Sequence, residues 1–224
     1  METQFESVEQ LTEATAANLA NAAAGAAFKL FRDKQFRKLA GFNRLSQTEQ
    51  DRIFNELVAA NLALVMLLLD APDLRVEPDK RVYFHKLCGK IGPAYMGVLK
   101  GMGVEREHQN IWRKLLDMRH AEYDLDRHKA RALSMQLSAE EGKQGLDELD
   151  NIQMMAPVHA VAIGCHRHVC RGETEGKDEL FKLTTRAQGE FYLELRIKLE
   201  GGRITPLDRV RMAVGRFVKN LCRR

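Results

Sequence analysis

The stretch SQTEQDRIFNELVAANLALVMLLLD, residues 46–70, decides how this chain folds. Ser46 followed three places later by Glu49 spells a capping box. The serine oxygen accepts a free first-turn amide, and the glutamate reaches back to the amide of the cap. A helix therefore opens near Gln47. Its first turns are amphipathic, with Ile53, Leu57, Ala60 and Leu64 on one side, and further on it is apolar all round. Such a helix is stable only when other protein covers every side. Glu56 and Asn61 intrude on it as polar exceptions, and Asp70-Ala71-Pro72 ends it. Its longest apolar run, Ala59 to Leu69, contains Asn61 and is too short to cross a bilayer, so no transmembrane segment is expected.

A buried central helix needs a coat, and the flanking sequence supplies helices rather than strands. Residues 6–40 read as one long helix or two in series, alanine-rich from Ala14 to Ala27 and basic at the end. Gly89, Gly92, Pro93, Gly97, Gly101 and Gly103 break residues 78–103 into two short helices, the second starting at Pro93. A long helix over 104–136 is built around Trp112, with Ile111, Leu115, Met118 and Leu125 expected to face inward. A second capping box, Ser138 to Glu141, opens residues 138–155. Pro157 starts a helix that Gly172 closes. Residues 177–200 follow, and Thr205-Pro206 caps a last helix. Strand-like alternation is confined to Arg81–Phe84. The expected fold is all-α, a bundle of about seven to eight helices with mostly antiparallel neighbours. In it, residues 1–45 form an N-terminal alanine-rich, basic helical arm and 46–224 the bundle domain.

Composition agrees with a globular chain that needs no metal or disulfide to hold a core. It is 45% hydrophobic and 29% charged over 224 residues. A net charge of +4 is only mildly basic, short of the excess usual in a nucleic-acid binder, although the bases are unevenly spread and cluster in residues 29–44 and in the last 22. The start, Met1-Glu2-Thr3, lacks the basic and apolar regions of a secretion signal. Cys88, Cys165, Cys170 and Cys222 show no disulfide framework. A cytoplasmic protein with free thiols is the expectation.

Three sets of residues could carry chemistry. On a helix, His159, His166 and Cys170 fall within a stripe about 40° wide, and neutral imidazole and thiolate are donors to zinc or iron. His159 and His166 stand two turns, about 10.5 Å, apart, so only His166 with Cys170 could share one ion. Glu122, within about 40° of Met118 on the long helix, could add a carboxylate across the bundle. Buried histidines bonded to backbone, and cysteines packed as small apolar groups, fit the same pattern. A ferritin-like di-metal centre fails on count, because Glu105–His108 is the single Glu-x-x-His pair.

The second set is Arg113 and His120, whose spacing is similar to the arginine–histidine pair of small helical nucleases of the HEPN type. That resemblance spans eight residues and implies an RNA-acting enzyme in which arginine holds a phosphate and histidine moves a proton. The third set is basic. Lys29, Arg32, Arg37 and Lys38 lie in one helix, and Arg209, Arg216, Lys219 and Arg223 border the apolar side Leu207, Val210, Val214, Phe217 and Leu221 of the last. Such helices can meet nucleic acid, an anionic membrane surface or an acidic partner. No phosphate-binding glycine loop and no nucleophile elbow occurs. The leading expectation is a helical module that assembles with itself or with another macromolecule, without an assigned cofactor. A zinc or iron protein and a nuclease are the alternatives.

Overall fold

The computed structural model describes residues 7–142 and 145–202. Among them are seven α-helices, one 3-10 turn and no strand. The helices are α1 (Val8–Arg32), α2 (Lys34–Leu39), α3 (Gln47–Leu69), α4 (Pro78–Gly101), α5 (Arg106–Glu140), α6 (Leu146–Val169) and α7 (Asp178–Leu199), with the 3-10 turn at Phe42–Arg44.

The axis of the bundle is α3, which packs against α1, α4, α5, α6 and α7. By length and hydropathy it would pass for a membrane span, but its apolar circumference is spent on protein, from Leu57 through Leu69. Ser46 caps it, accepting from the Glu49 amide at 3.3 Å. The reciprocal half of the box does not form, because the Glu49 carboxylate turns to Arg52 and Arg171 instead. Asn61 donates to the Ala23 carbonyl at 3.2 Å, fastening α3 to α1. Small residues let the two helices approach closely: Ala16, Ala20, Ala23 and Ala27 of α1 belong to the same core as α3. At Asp33 the N-terminal helix breaks, since that side chain accepts from Phe36 N at 2.9 Å and starts α2.

Several helix boundaries differ from those the sequence suggests. Residues 78–101 form one helix with Pro93 inside it. Ser138 opens no helix. It lies buried near the end of α5, and α6 begins only after Gly145 and runs straight through Pro157. An interior proline costs one backbone hydrogen bond and some bending. In 24-residue helices pinned along their length by core contacts, packing outweighs that loss.

The orientation of α5 is the larger correction. Ile111, Met118 and Leu125 point outward, 58–60% exposed, while Trp112, Leu116 and Tyr123 turn into the bundle. Sequence reading picked the more apolar stripe. The bundle instead takes a mixed stripe, because Arg119 on that side has a carboxylate waiting for it on α3.

Candidate functional site

The polar heart of the molecule lies where α3, α5 and the C-terminal end of α6 meet. Glu56, buried on α3, accepts two hydrogen bonds from Arg119: Nε to Oε2 at 2.8 Å and Nη2 to Oε1 at 2.7 Å. The same guanidinium reaches Glu122 Oε2 at 3.3 Å. Glu122 also accepts from Arg167 and stands 2.9 Å from His168 Nε2. Arg52 closes the cluster, its fork donating to the carbonyls of His168 (2.7 Å) and Val169 (3.0 Å) at the end of α6. The His168 carbonyl also accepts from Arg171 N at 3.2 Å, and the arginine completes the C-terminal cap.

The α6 terminus carries a feature that sequence alone did not flag. Arg171 adopts φ +52°, the left-handed conformation usually taken by glycine after a helix. Gly172 follows at φ +84° and donates to the Arg167 carbonyl at 2.8 Å. In return the Arg171 side chain reaches Glu49, which pins the end of α6 to the start of α3.

The proposed metal ligands are not brought together around one point. Glu122 meets His168, not His166. The His166 ring packs on Phe181 of α7, centroids 5.3 Å apart, with one nitrogen facing the Lys177 backbone. Cys170 is buried in the core, and burial raises its thiol pKa. Burial also lifts Cys165 to about 12 and Cys88 to about 11, so these thiols stay protonated and apolar in character. Among the described residues no group of three or more histidine, cysteine or acidic side chains is arranged to hold a metal ion. All the oxygens of Glu56 and Glu122 have arginine or histidine partners. Chemically, the cluster is a fastener.

Arg113 and His120 share a side of α5 but stand two turns apart, about 10.5 Å along the axis. Arg113 is exposed and His120 half-buried. Burial pulls the His120 pKa below the ordinary imidazole value; Asp124 opposes the shift, Arg127 adds to it, and Asp70 and Asp117 oppose it more weakly. Of the basic residues, Arg37 stacks on Phe42 at 4.4 Å and bonds Gln50, and Arg32 lies over Phe28 at 5.6 Å. Lys29 lines a groove of about 380 Å³ between α1 and α7 in which Asp33, Glu190 and Glu194 balance the bases. Lys38 is exposed at the rim of a shallow depression beside the 3-10 turn. Arg209, Arg216, Lys219 and Arg223 lie outside the described residues.

What remains is the outward flank of α5. Ile111, Met118 and Leu125 recur every seven residues on an exposed face, with half-buried Leu115 and exposed Ala121 beside them. Comparison with protein families, with curated proteins and with solved structures finds no match to this chain.

Proposed function

We propose that this protein is a helical assembly module whose working surface is the outer flank of α5, and that its partner there is a second copy of the chain. The supporting observation is a palindrome of side chains about Met118. In an antiparallel pair of α5 helices related by a two-fold axis at Met118, residues whose numbers lie equally far on either side face one another. Ile111 then meets Leu125, Leu115 meets Ala121, and Glu107 meets Lys129. Apolar faces apolar, and acid faces base. A two-fold interface demands this self-complementarity of a single patch.

The seven-residue spacing suits such a pair, because a repeat of seven keeps one seam facing a partner helix. From Glu107 to Lys129 the seam is about 33 Å long. That is ample for one helix–helix contact, although a standard interface of about 800 Å² per partner also draws on neighbouring side chains. Arg167, half-exposed beside Glu122, is placed to join it.

Light scattering on a size-exclusion column tests the reading. The wild-type chain is expected at twice 25.5 kDa. Met118→Glu places two carboxylates on the axis and is expected to give a monomer with an unchanged helical spectrum. A wild-type chain that stays monomeric at the highest attainable concentration would falsify the proposal.

A further inference from the structure

At the far end of the α5–α6 hairpin Met135 of α5 and Leu146 and Leu149 of α6 are exposed, with Leu133 and Leu137 exposed on the outer side of α5. Among them stand the exposed acids Glu140, Asp147 and Asp150. Leucines grouped on a surface call for a cover, and the acids state its charge.

The end of α7 lies at the foot of this surface. The helix runs antiparallel to α6, from the contact of Phe181 with His166 to a groove of about 370 Å³. That groove is bounded by Asp150, Asn151 and Met154 on α6 and by Leu193, Ile197 and Glu200 on α7. There α7 is closed by Gly201 at φ +82°, with Gly202 N donating to the Ile197 carbonyl at 2.8 Å. The described chain ends at Gly202, two residues past Glu200, which lines that groove together with Asp150 and Asn151.

We propose that residues 203–224 dock on the far end of their own α5–α6 hairpin. The segment carries seven bases against Asp208 alone. Leu207, Val210, Val214, Phe217 and Leu221 recur in it at helical intervals. Its apolar side matches the exposed leucines, and its bases match Glu140, Asp147 and Asp150. Reach is no obstacle. Twenty-two residues cover about 33 Å even when coiled as a helix, and Met154 to Leu146 is about 12 Å along α6. Attachment at the foot of the surface raises the local concentration of the segment far above that of any free partner. This contact is separate from the α5 flank centred on Met118.

Limited trypsin digestion of the full chain reads the docking, because the segment offers cleavage sites at Arg209, Arg211, Arg216 and Lys219. Full chain carrying Glu140→Lys, Asp147→Lys and Asp150→Lys, all at exposed positions, is expected to lose the segment about tenfold faster at low salt. Equal rates overturn the proposal. A second measurement leaves the hairpin intact: Val214→Asp with Phe217→Asp is expected to speed amide hydrogen exchange over residues 131–150. Unchanged exchange there overturns it as well. Docking within one chain makes protection independent of protein concentration. Protection that grows with concentration assigns the contact to a second copy and overturns the proposal as stated. The Met118→Glu variant should keep the protection, so failure of pairing and failure of docking are told apart.

Discussion

Glu56 and Arg119 face each other across the α3–α5 interface as a two-pronged pair, with both carboxylate oxygens within 2.8 Å of guanidinium nitrogens. Side-chain exposure is 9% for Glu56 and 15% for Arg119. Removing Arg119 leaves the Glu56 charge stranded in low dielectric, so Arg119→Ala is expected to cost about 3–5 kcal/mol by urea unfolding. Glu56→Ala leaves Arg119 its 3.3 Å contact with Glu122 and is expected to cost less. Replacing both together, as Glu56→Leu with Arg119→Met, removes the stranded charge and is expected to cost markedly less than the sum. If the double replacement costs as much as the two singles added, the pair is not the coupled fastener described here.

How much of this was legible in the sequence depends on whether apolar residues or partners decide. For α3 the oily circumference and the Ser46 cap sufficed, and the all-α bundle followed from them. For α5 they did not. Periodicity ranks faces by greasiness, and on that scale Ile111, Met118 and Leu125 beat a face containing Arg119. Only the position of Glu56, 63 residues earlier in the chain, makes the charged face the inward one. His166 and Cys170 were rightly read as interior, yet the residue that meets Glu122 is His168, two places on. That choice is set by the rotation of α6 against α5, which no single-helix pattern encodes. Ser138 was misread for a simpler reason. A capping box is a local signal, and nothing local forbids the helix from continuing past it until Gly142, at φ +72°.

Protonation opposes the fold through three imidazoles. His120, His159 and His166 all have pKa values pulled below the ordinary 6.5, with burial the largest cause in each. The unfolded chain therefore binds more protons than the folded one as pH drops below about 6.5, so stability rises with pH through that window. The melting temperature is expected to be level above about pH 7 and to fall from there to pH 5. His166→Gln should flatten part of the slope, since it removes one of the protons taken up on unfolding. A melting temperature constant over this range, with no acidic fall, would contradict the burial of these rings.

Gly164 of α6 sits against the ring of Tyr123 of α5. A Cβ built on it would clash with Tyr123 Cε1 and lie 2.9 Å from Cδ1, and the tyrosine is fully buried. The ring cannot swing aside without displacing its neighbours in a close-packed core. Gly164→Ala is expected to destabilise by about 1–3 kcal/mol despite the better helix propensity of alanine. Tyr123→Leu in the same chain should recover part of the loss by opening room. If Gly164→Ala stabilises, as helix propensity alone dictates, the two helices are farther apart than described.

Charge reversal offers the sharpest check on pairing through α5, because the register fixes which residues meet. With the two-fold axis at Met118, Glu107 faces Lys129 of the partner, and the contact occurs twice per dimer. Glu107→Lys replaces two attractive contacts with two repulsive ones. Exposed pairs contribute about 0.2–1 kcal/mol each, so loss of the two attractions alone should raise the dissociation constant about two- to thirtyfold, and the repulsions add to it. Lys129→Glu alone should do the same, and it also breaks the 2.9 Å bond of Lys129 to Asp126 within the helix. The two together restore opposite charges across the axis, and affinity should return to near the wild-type value. High salt should shrink all three effects in parallel. Any other register, parallel pairing included, moves Glu107 away from Lys129 and leaves the double variant no better than the worse single. Rescue therefore reports the antiparallel arrangement itself, which a mass measurement cannot distinguish.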